Sequence, residues 1–189
     1  MSAEYVVILV LVALLLGAAA AWFLLRRRRS EHLRRDFGPE YDRAVEESGD
    51  RSEAERELEG RRERVRQLQI HPLPLTEREE FSATWTQVQK RFVDSPAEAV
   101  GEADRLVSEV MQRRGYPMAD FEQRAADISV DHPRVVDNYR SARALAERSR
   151  NGRATTEDLR QAMVHYRTLF DDLLEERSAK TEVKIDRAS

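Results

Sequence analysis

The sequence contains no cysteine and little glycine, proline or aromatic side chain. Without cysteine, a disulfide framework, a thiolate nucleophile and a thiolate metal site are all excluded. No segment alternates β-branched or aromatic residues with polar ones over any length, so strands are not expected. Charged residues make up 35% of the chain, which is typical of long helices. We therefore predict an all-α protein.

The net charge is −3, and an acidic chain lacks the broad basic face that binding to nucleic acid requires. We therefore expect no nucleic-acid partner. No histidine stands at metal-ligand spacing from another ligand, and the sequence has no glycine-rich phosphate loop and no GxSxG turn. From these absences we expect no catalytic residues, no cofactor and no bound metal, and we predict that the protein is not an enzyme.

One long apolar run stands apart from this polar background. Residues 5–25 read YVVILVLVALLLGAAAAWFLL and carry no charge. As a helix they would measure about 30 Å, which matches the hydrocarbon core of a bilayer. Trp22 stands near one end, where amphipathic rings favour the headgroup region. The sequence thus predicts a single transmembrane helix over 5–25, preceded by a short extracytoplasmic N-terminus over 1–4.

Four arginines, Arg26, Arg27, Arg28 and Arg29, follow the apolar run directly, and only Glu4 precedes it as a charged side chain. Arginine beside a span is retained on the cytoplasmic side. We therefore assign these arginines and Trp22 to the membrane interface. The predicted location is the inner (plasma) membrane, with the N-terminus outside and the rest of the chain in the cytoplasm.

A cleaved signal peptide is the alternative to an anchor, because Ala19-Ala20-Ala21 is a small-residue run of the cleavable type. The segment before the apolar run has no lysine or arginine, however, and the arginines that follow oppose translocation. The anchor is favoured. Cleavage would instead release a secreted or surface helical protein.

Residues 26–75 are predicted to form a basic juxtamembrane segment, a charged spacer helix and a proline linker. Ser52 and Glu55 have the spacing of a capping box ahead of the charged helix, whose apolar stripe is thin. A solvated spacer is favoured over a weak dimerisation stem, which leaves weak homo-oligomerisation as an alternative. Pro72 and Pro74 favour extended backbone, so the domain boundary is expected there.

Residues 76–177 have the periodicity of an antiparallel bundle of four or five helices, followed by a disordered tail over 178–189. The expected helix starts are Thr76 with a capping box to Glu79, Ser95 with Pro96 in the first turn, Asp120, Pro133 and Thr156. Aromatic and aliphatic residues recur every three or four positions in these helices, as in Phe81, Trp85, Val88 and Phe92. That spacing puts them on one buried face.

The start of the fourth predicted bundle helix concentrates polar functional groups. Arg134, Asp137, Asn138 and Arg140 follow one another within a single stretch. Polar residues are common at the start of a helix, and this explanation is favoured. The alternative is that these four residues form a docking surface for another protein.

Four segments of the chain carry a resemblance to other proteins: FGPEYDRAVEESGD (37–50), RFVDSPAEAVGEADRLVSEVMQRRGYP (91–117), FEQRAADISVDHP (121–133) and DLRQAMVHYRTLFDDLL (158–174). They resemble a family of uncharacterised bacterial single-pass membrane proteins, sometimes labelled secreted. The resemblance covers most of the chain. It implies a membrane anchor and a helical body, and it implies no activity.

Together these features favour a membrane-anchored adaptor that spans the lipid bilayer once and binds another protein through its cytoplasmic bundle. The alternatives are the secreted helical protein and an enzyme or small-ligand binder with an unrecognised site between helices.

Overall fold

The computed structural model describes residues 3–175; in the first helix it describes side chains only at 11, 14–17, 20, 21, 23, 24 and from 27 onward. Helices are the only regular secondary structure among the described residues, which confirms the all-α class. The helices are α1 (Ala3–Phe37), α2 (Pro39–Ser48), α3 (Arg51–Arg66), α4 (Leu75–Asp94), α5 (Pro96–Arg113), α6 (Phe121–Asp131), α7 (Val136–Arg150) and α8 (Thr156–Glu175).

Among the described residues, no helix combines the length and the apolar character that crossing a bilayer requires. The transmembrane helix predicted over 5–25 is therefore not supported by the structure. The side chains of Trp22 and Arg26, both assigned to the membrane interface, lie outside the described residues. So does the tail predicted over 178–189.

The chain divides into two compact units, Met1–Glu59 (unit 1) and Gly60–Ser189 (unit 2), and the division falls inside α3. The sequence instead predicted a boundary at the proline linker. The linker belongs to unit 2 because the His71 N–H donates to the Arg114 carbonyl at 2.9 Å and Leu73 is buried. These contacts hold the extended segment against the helices that follow it.

Unit 1 contains α1, α2 and the start of α3. Its buried apolar side chains come from all three helices and are Leu33, Phe37, Tyr41, Ala44, Ala54 and Leu58. The first half of α3 is thus packed, whereas the sequence favoured a spacer surrounded by solvent. The few apolar residues of α3 are enough for this packing because Ala54 and Leu58 are four positions apart and share one face.

The Glu55 carboxylate is buried at the centre of unit 1. Its Oε1 accepts hydrogen bonds from the hydroxyls of Ser30 (2.5 Å) and Tyr41 (2.8 Å) and from Nε of Arg51 (3.0 Å). Burial would raise the pKa of Glu55, but these bonds outweigh it and hold that pKa below its usual value. The predicted Ser52–Glu55 capping box is therefore wrong. Asp50 caps α3 instead, accepting from the Glu53 N–H at 2.8 Å.

Unit 2 contains the five helices α4–α8 and the end of α3. Helix α5 packs against α4, α7 and α8, and α7 packs against α6 and α8. Trp85 of α4 stacks on Phe170 of α8, with ring centroids 4.8 Å apart. The periodic residues predicted to be buried in α4, including Phe81 and Val88, lie in this core. Phe92 is only partly buried against it.

Several helix starts differ from their predictions. Helix α4 begins at Leu75 without a side-chain cap, so the expected Thr76–Glu79 box is not formed. Helix α7 begins at Val136 and not at Pro133, because residues 133–135 form a turn closed by Val135 N–H and His132 carbonyl. The starts of α5, α6 and α8 lie where the sequence predicted them.

Candidate functional site

A cavity of about 510 Å³ opens between α5 and α7 in unit 2. Small residues create the space: Ala97 and Gly101 stand one helical turn apart on α5, and Ala146 lies on α7. A Cβ added at Gly101 would be 3.8 Å from the nearest guanidinium nitrogen of Arg105, so the space beside Gly101 accommodates one methyl group without a clash. Its volume falls within the usual range of ligand pockets, about 300–1,000 Å³.

Asp104 forms part of the cavity wall and is the centre of its hydrogen-bond network. Its Oδ1 accepts from the Tyr166 hydroxyl at 2.8 Å, and its Oδ2 accepts from a terminal nitrogen of Arg143, also at 2.8 Å. The guanidinium of Arg150 lies 3.8 Å from Oδ2. Both carboxylate oxygens are thus engaged by donors, which suits a positioning role better than proton abstraction.

The neighbours of Asp104 keep fixed protonation states. Burial, the Asp104 charge and the hydrogen bond to it raise the pKa of Tyr166 far above its usual value. Burial would lower the pKa of Arg143, but the carboxylates of Asp104 and Glu147 outweigh it and raise that pKa. Tyr166 therefore remains a neutral donor and Arg143 remains a cation.

The rim of the cavity carries charge of both signs. Glu102 is paired with Arg91, and Arg150 approaches Glu147 at 3.5 Å. Glu98 and Arg105, by contrast, make no hydrogen bond or ion pair within residues 3–175. Both side chains are exposed and carry charges of opposite sign.

A second polar cluster lies where α5, α6 and α8 end. The buried His132 contacts Asp172 through Nδ1, and its Nε2 is 3.2 Å from a terminal nitrogen of the buried Arg114. A guanidinium only donates, so Nε2 accepts and Nδ1 carries the proton that is donated to Asp172. The same Arg114 nitrogen donates to the Leu173 carbonyl at 3.0 Å.

The His132 cluster therefore connects the ends of α5, α6 and α8. Its imidazole has no free nitrogen to accept a proton from a substrate, although a buried His–Asp pair resembles part of a hydrolase site. The contact between His132 and Asp172 joins positions 40 apart and could not be read from spacing.

The predicted docking residues lie away from the cavity lining. Arg134 and Asp137 are exposed, while Asn138 and Arg140 are partly buried. Asn138 accepts a hydrogen bond from His165 Nδ1 at 2.8 Å, and Arg140 lies 3.4 Å from Asp137. The exposed part of this surface is thus Arg134 and Asp137, which we call the α7 start. Asn138 and Arg140 are held by neighbours.

Sequence reasoning missed the cavity. The residues Val100, Ala103 and Val107 are buried in α5, and Asp104 stands among them. A carboxylate inside an apolar stripe is the one sequence signal that pointed here, because such a group needs buried donors. Nothing in the spacing identified Tyr166 and Arg143 as those donors.

Of the interface arginines, Arg27 pairs with Glu31 at 3.1 Å and Arg29 pairs with Glu59, while Arg28 is exposed.

Comparison of the chain with protein-family models, with curated proteins and with solved structures found no match.

Proposed function

We propose that the protein is a membrane-anchored helical adaptor, with a span over 5–25 and the chain that follows the span on the cytoplasmic side of the plasma membrane. The observation that carries the proposal is the uncharged run itself, which is continuous with a folded helical unit through α1. The resemblance to single-pass bacterial membrane proteins supports the same topology. The adaptor would bind another protein, which tethering brings to the bilayer.

Exposure along α1 supports the anchor. Leu14, Leu15, Leu16 and Phe23 are each at least 61% exposed, and Leu11 and Leu24 are more than half exposed. Large apolar patches of this kind are costly in water and mark surfaces that meet a membrane or a partner. In a bilayer these side chains would contact lipid.

The engagement of both polar clusters supports an adaptor over an enzyme. Asp104 has donors on both oxygens, and His132 has a partner at each ring nitrogen. Neither group is poised as a free base or nucleophile. The proposed interaction surface is the α7 start, where Arg134 and Asp137 face solvent with opposite charges.

Topology can be tested with single cysteines, because the natural chain has none. Glu46→Cys places a thiol at an exposed position of α2. We expect a membrane-impermeant maleimide to label it only after the cells are permeabilised, and we expect the protein to stay with membranes in alkaline carbonate. Labelling of intact cells would contradict the orientation. A mature N-terminus near Ala21 would favour the secreted alternative.

Partner binding can be tested with a photocrosslinking residue placed at Asp137 in living cells, with the same residue at exposed Glu80 of α4 as the matched control. A discrete adduct at 137 that is absent at 80 is the expected result. Equal adducts at both positions, or none at either, would count against the α7 start as an interaction surface.

The cavity favours a second candidate function, binding of a small zwitterionic ligand. The test is a screen of free amino acids and short peptides against the full chain, read by amide shifts at Gly101 and Ala146. Gly101→Leu fills the space and should abolish any shift. Shifts that persist in this variant would place binding elsewhere.

A further inference from the structure

Helix α1 presents two different faces after residue 27. Ser30, Leu33 and Phe37 are buried and lie three and seven positions apart, so they share the face that packs in unit 1. Arg28, His32 and Arg35 are also spaced by four and seven positions, and all three are exposed. At about 100° per residue, the two sets lie on opposite sides of the helix.

The arginines on the flanks of α1 are neutralised within unit 1. Arg27 pairs with Glu31, Arg29 with Glu59, and Arg34 with Asp42 at 3.2 Å. By contrast, Arg28, His32 and Arg35 make no ion pair or hydrogen bond with any residue that the structure describes. The cationic face, defined as Arg28, His32 and Arg35, therefore carries two arginine charges without an acidic partner among the described residues.

The cationic face continues an apolar one. Leu24, one turn before Arg28, is 56% exposed, and Leu14 is 64% exposed. Long arginine side chains near the end of a span reach toward the headgroup layer while their stems contact acyl chains. Charge complementarity then selects the occupant, because the anions near the end of a bilayer span are the phosphates of lipids.

We infer that the cationic face binds the phosphate-bearing headgroups of anionic phospholipids in the leaflet that the helix enters. The inference rests on the proposed anchor and adds which side chains determine the lipid preference. Arg28 and Arg35 would hold the headgroups, and the paired Arg27, Arg29 and Arg34 would contribute little. An exposed guanidinium can approach a phosphate with two parallel donors, whereas a paired one must first leave its carboxylate.

The experiment uses the full chain in phosphatidylcholine vesicles with a trace of spin-labelled phosphatidylglycerol or spin-labelled phosphatidylcholine. The immobile fraction of each label reports which lipid contacts the protein. We expect preference for the anionic lipid, reduced in R28Q/R35Q by at least the roughly fivefold that one arginine near an anionic surface contributes. Raising salt to about 1 M, where the Debye length is about 3 Å, should also reduce the preference.

R27Q/R34Q is the matched control, because it removes the same number of charges from the same helix. The inference predicts that this variant keeps most of the wild-type preference. Equal losses in the two variants would mean that only net charge matters, and would overturn the assignment to the cationic face. Equal immobilisation of both lipids by the wild type would overturn it as well.

Flotation of the same vesicles separates this inference from the anchor. A protein that floats with pure phosphatidylcholine after carbonate treatment is anchored, whatever its lipid preference. A protein that does not float would defeat the proposed anchor itself, and the lipid inference with it.

Discussion

The interiors of the two units differ in composition. Among its described side chains, unit 1 buries six apolar ones and the carboxylates of Glu40 and Glu55, and Oε1 of Glu55 accepts from Ser30, Tyr41 and Arg51. Unit 2 buries a much larger apolar core, and its polar contacts, such as Arg114 with His132 and Asp104 with Tyr166, lie both at helix ends and between helices. Unit 1 should therefore be sensitive to charge, and unit 2 to lost volume.

The largest expected effect is that of Trp85→Ala in unit 2. The change removes the stack on Phe170 and leaves a hole in the core, which costs about 3–5 kcal/mol of the free energy of unfolding. Chemical denaturation followed by circular dichroism measures it. Val93→Ala on the same helix is the control, since Val93 is 82% exposed and its loss should cost less than about 0.5 kcal/mol. If Trp85→Ala kept the full wild-type stability, packing of the apolar core would not be what stabilises unit 2.

Gly115→Ala should have the next largest effect. Gly115 has φ +97°, which costs an L-residue about 1–2 kcal/mol, and a Cβ there would stand 2.4 Å from the carbonyl oxygen of Gln69. The backbone must shift, so the loss should exceed the cost of φ alone. Gly152→Ala separates the two terms, because Gly152 has φ +66° and open space around it. Equal losses in the two variants would show that the close approach is unimportant.

Glu55→Gln tests the charge dependence of unit 1. The substitution keeps the shape but removes the charge that three donors share, with an expected loss of about 2 kcal/mol. Hydrogen exchange of amides in α2 and the start of α3 reports the loss locally. Exchange that accelerates equally in unit 2 would mean that the two units do not differ in what stabilises them.

Acid should have the smallest effect that still distinguishes the units. The folded pKa of Glu55 lies below its ordinary value of 4.5, so its stabilisation is complete above that value and declines as the pH falls through the lowered one. The difference in unfolding free energy between wild type and Glu55→Gln should thus shrink from pH 6 to pH 3. A constant difference would contradict the assigned role of the charge.

Local patterns predicted much of unit 2. The spacing of Phe81, Trp85 and Val88 predicted a buried face, and Asp120 predicted the start of α6, where it accepts from the Gln123 N–H at 2.9 Å. Both signals act within one or two helical turns. The pattern in α3 was misleading, because Glu55 reads as a cap in sequence and folds inward as an acceptor.

The candidate site was beyond such patterns. Asp104 meets Tyr166 across 62 positions and Arg143 across 39, and the cavity depends on which helices become neighbours. Helix packing sets those distances, and a periodicity says only which face is buried. The unpaired charges of the cationic face were equally hidden, because the partners of Arg29 and Arg34 come from other helices.

Helix α1 runs without a break from Ala3 to Phe37, a rod of about 50 Å at the standard rise. A rod of this kind transmits torsion, so a twist applied to its first half must turn Leu33 and Phe37 against α2 and α3. With the proposed span in place, a change in bilayer thickness that alters the tilt of α1 would also shift the packing of Leu33 and Phe37.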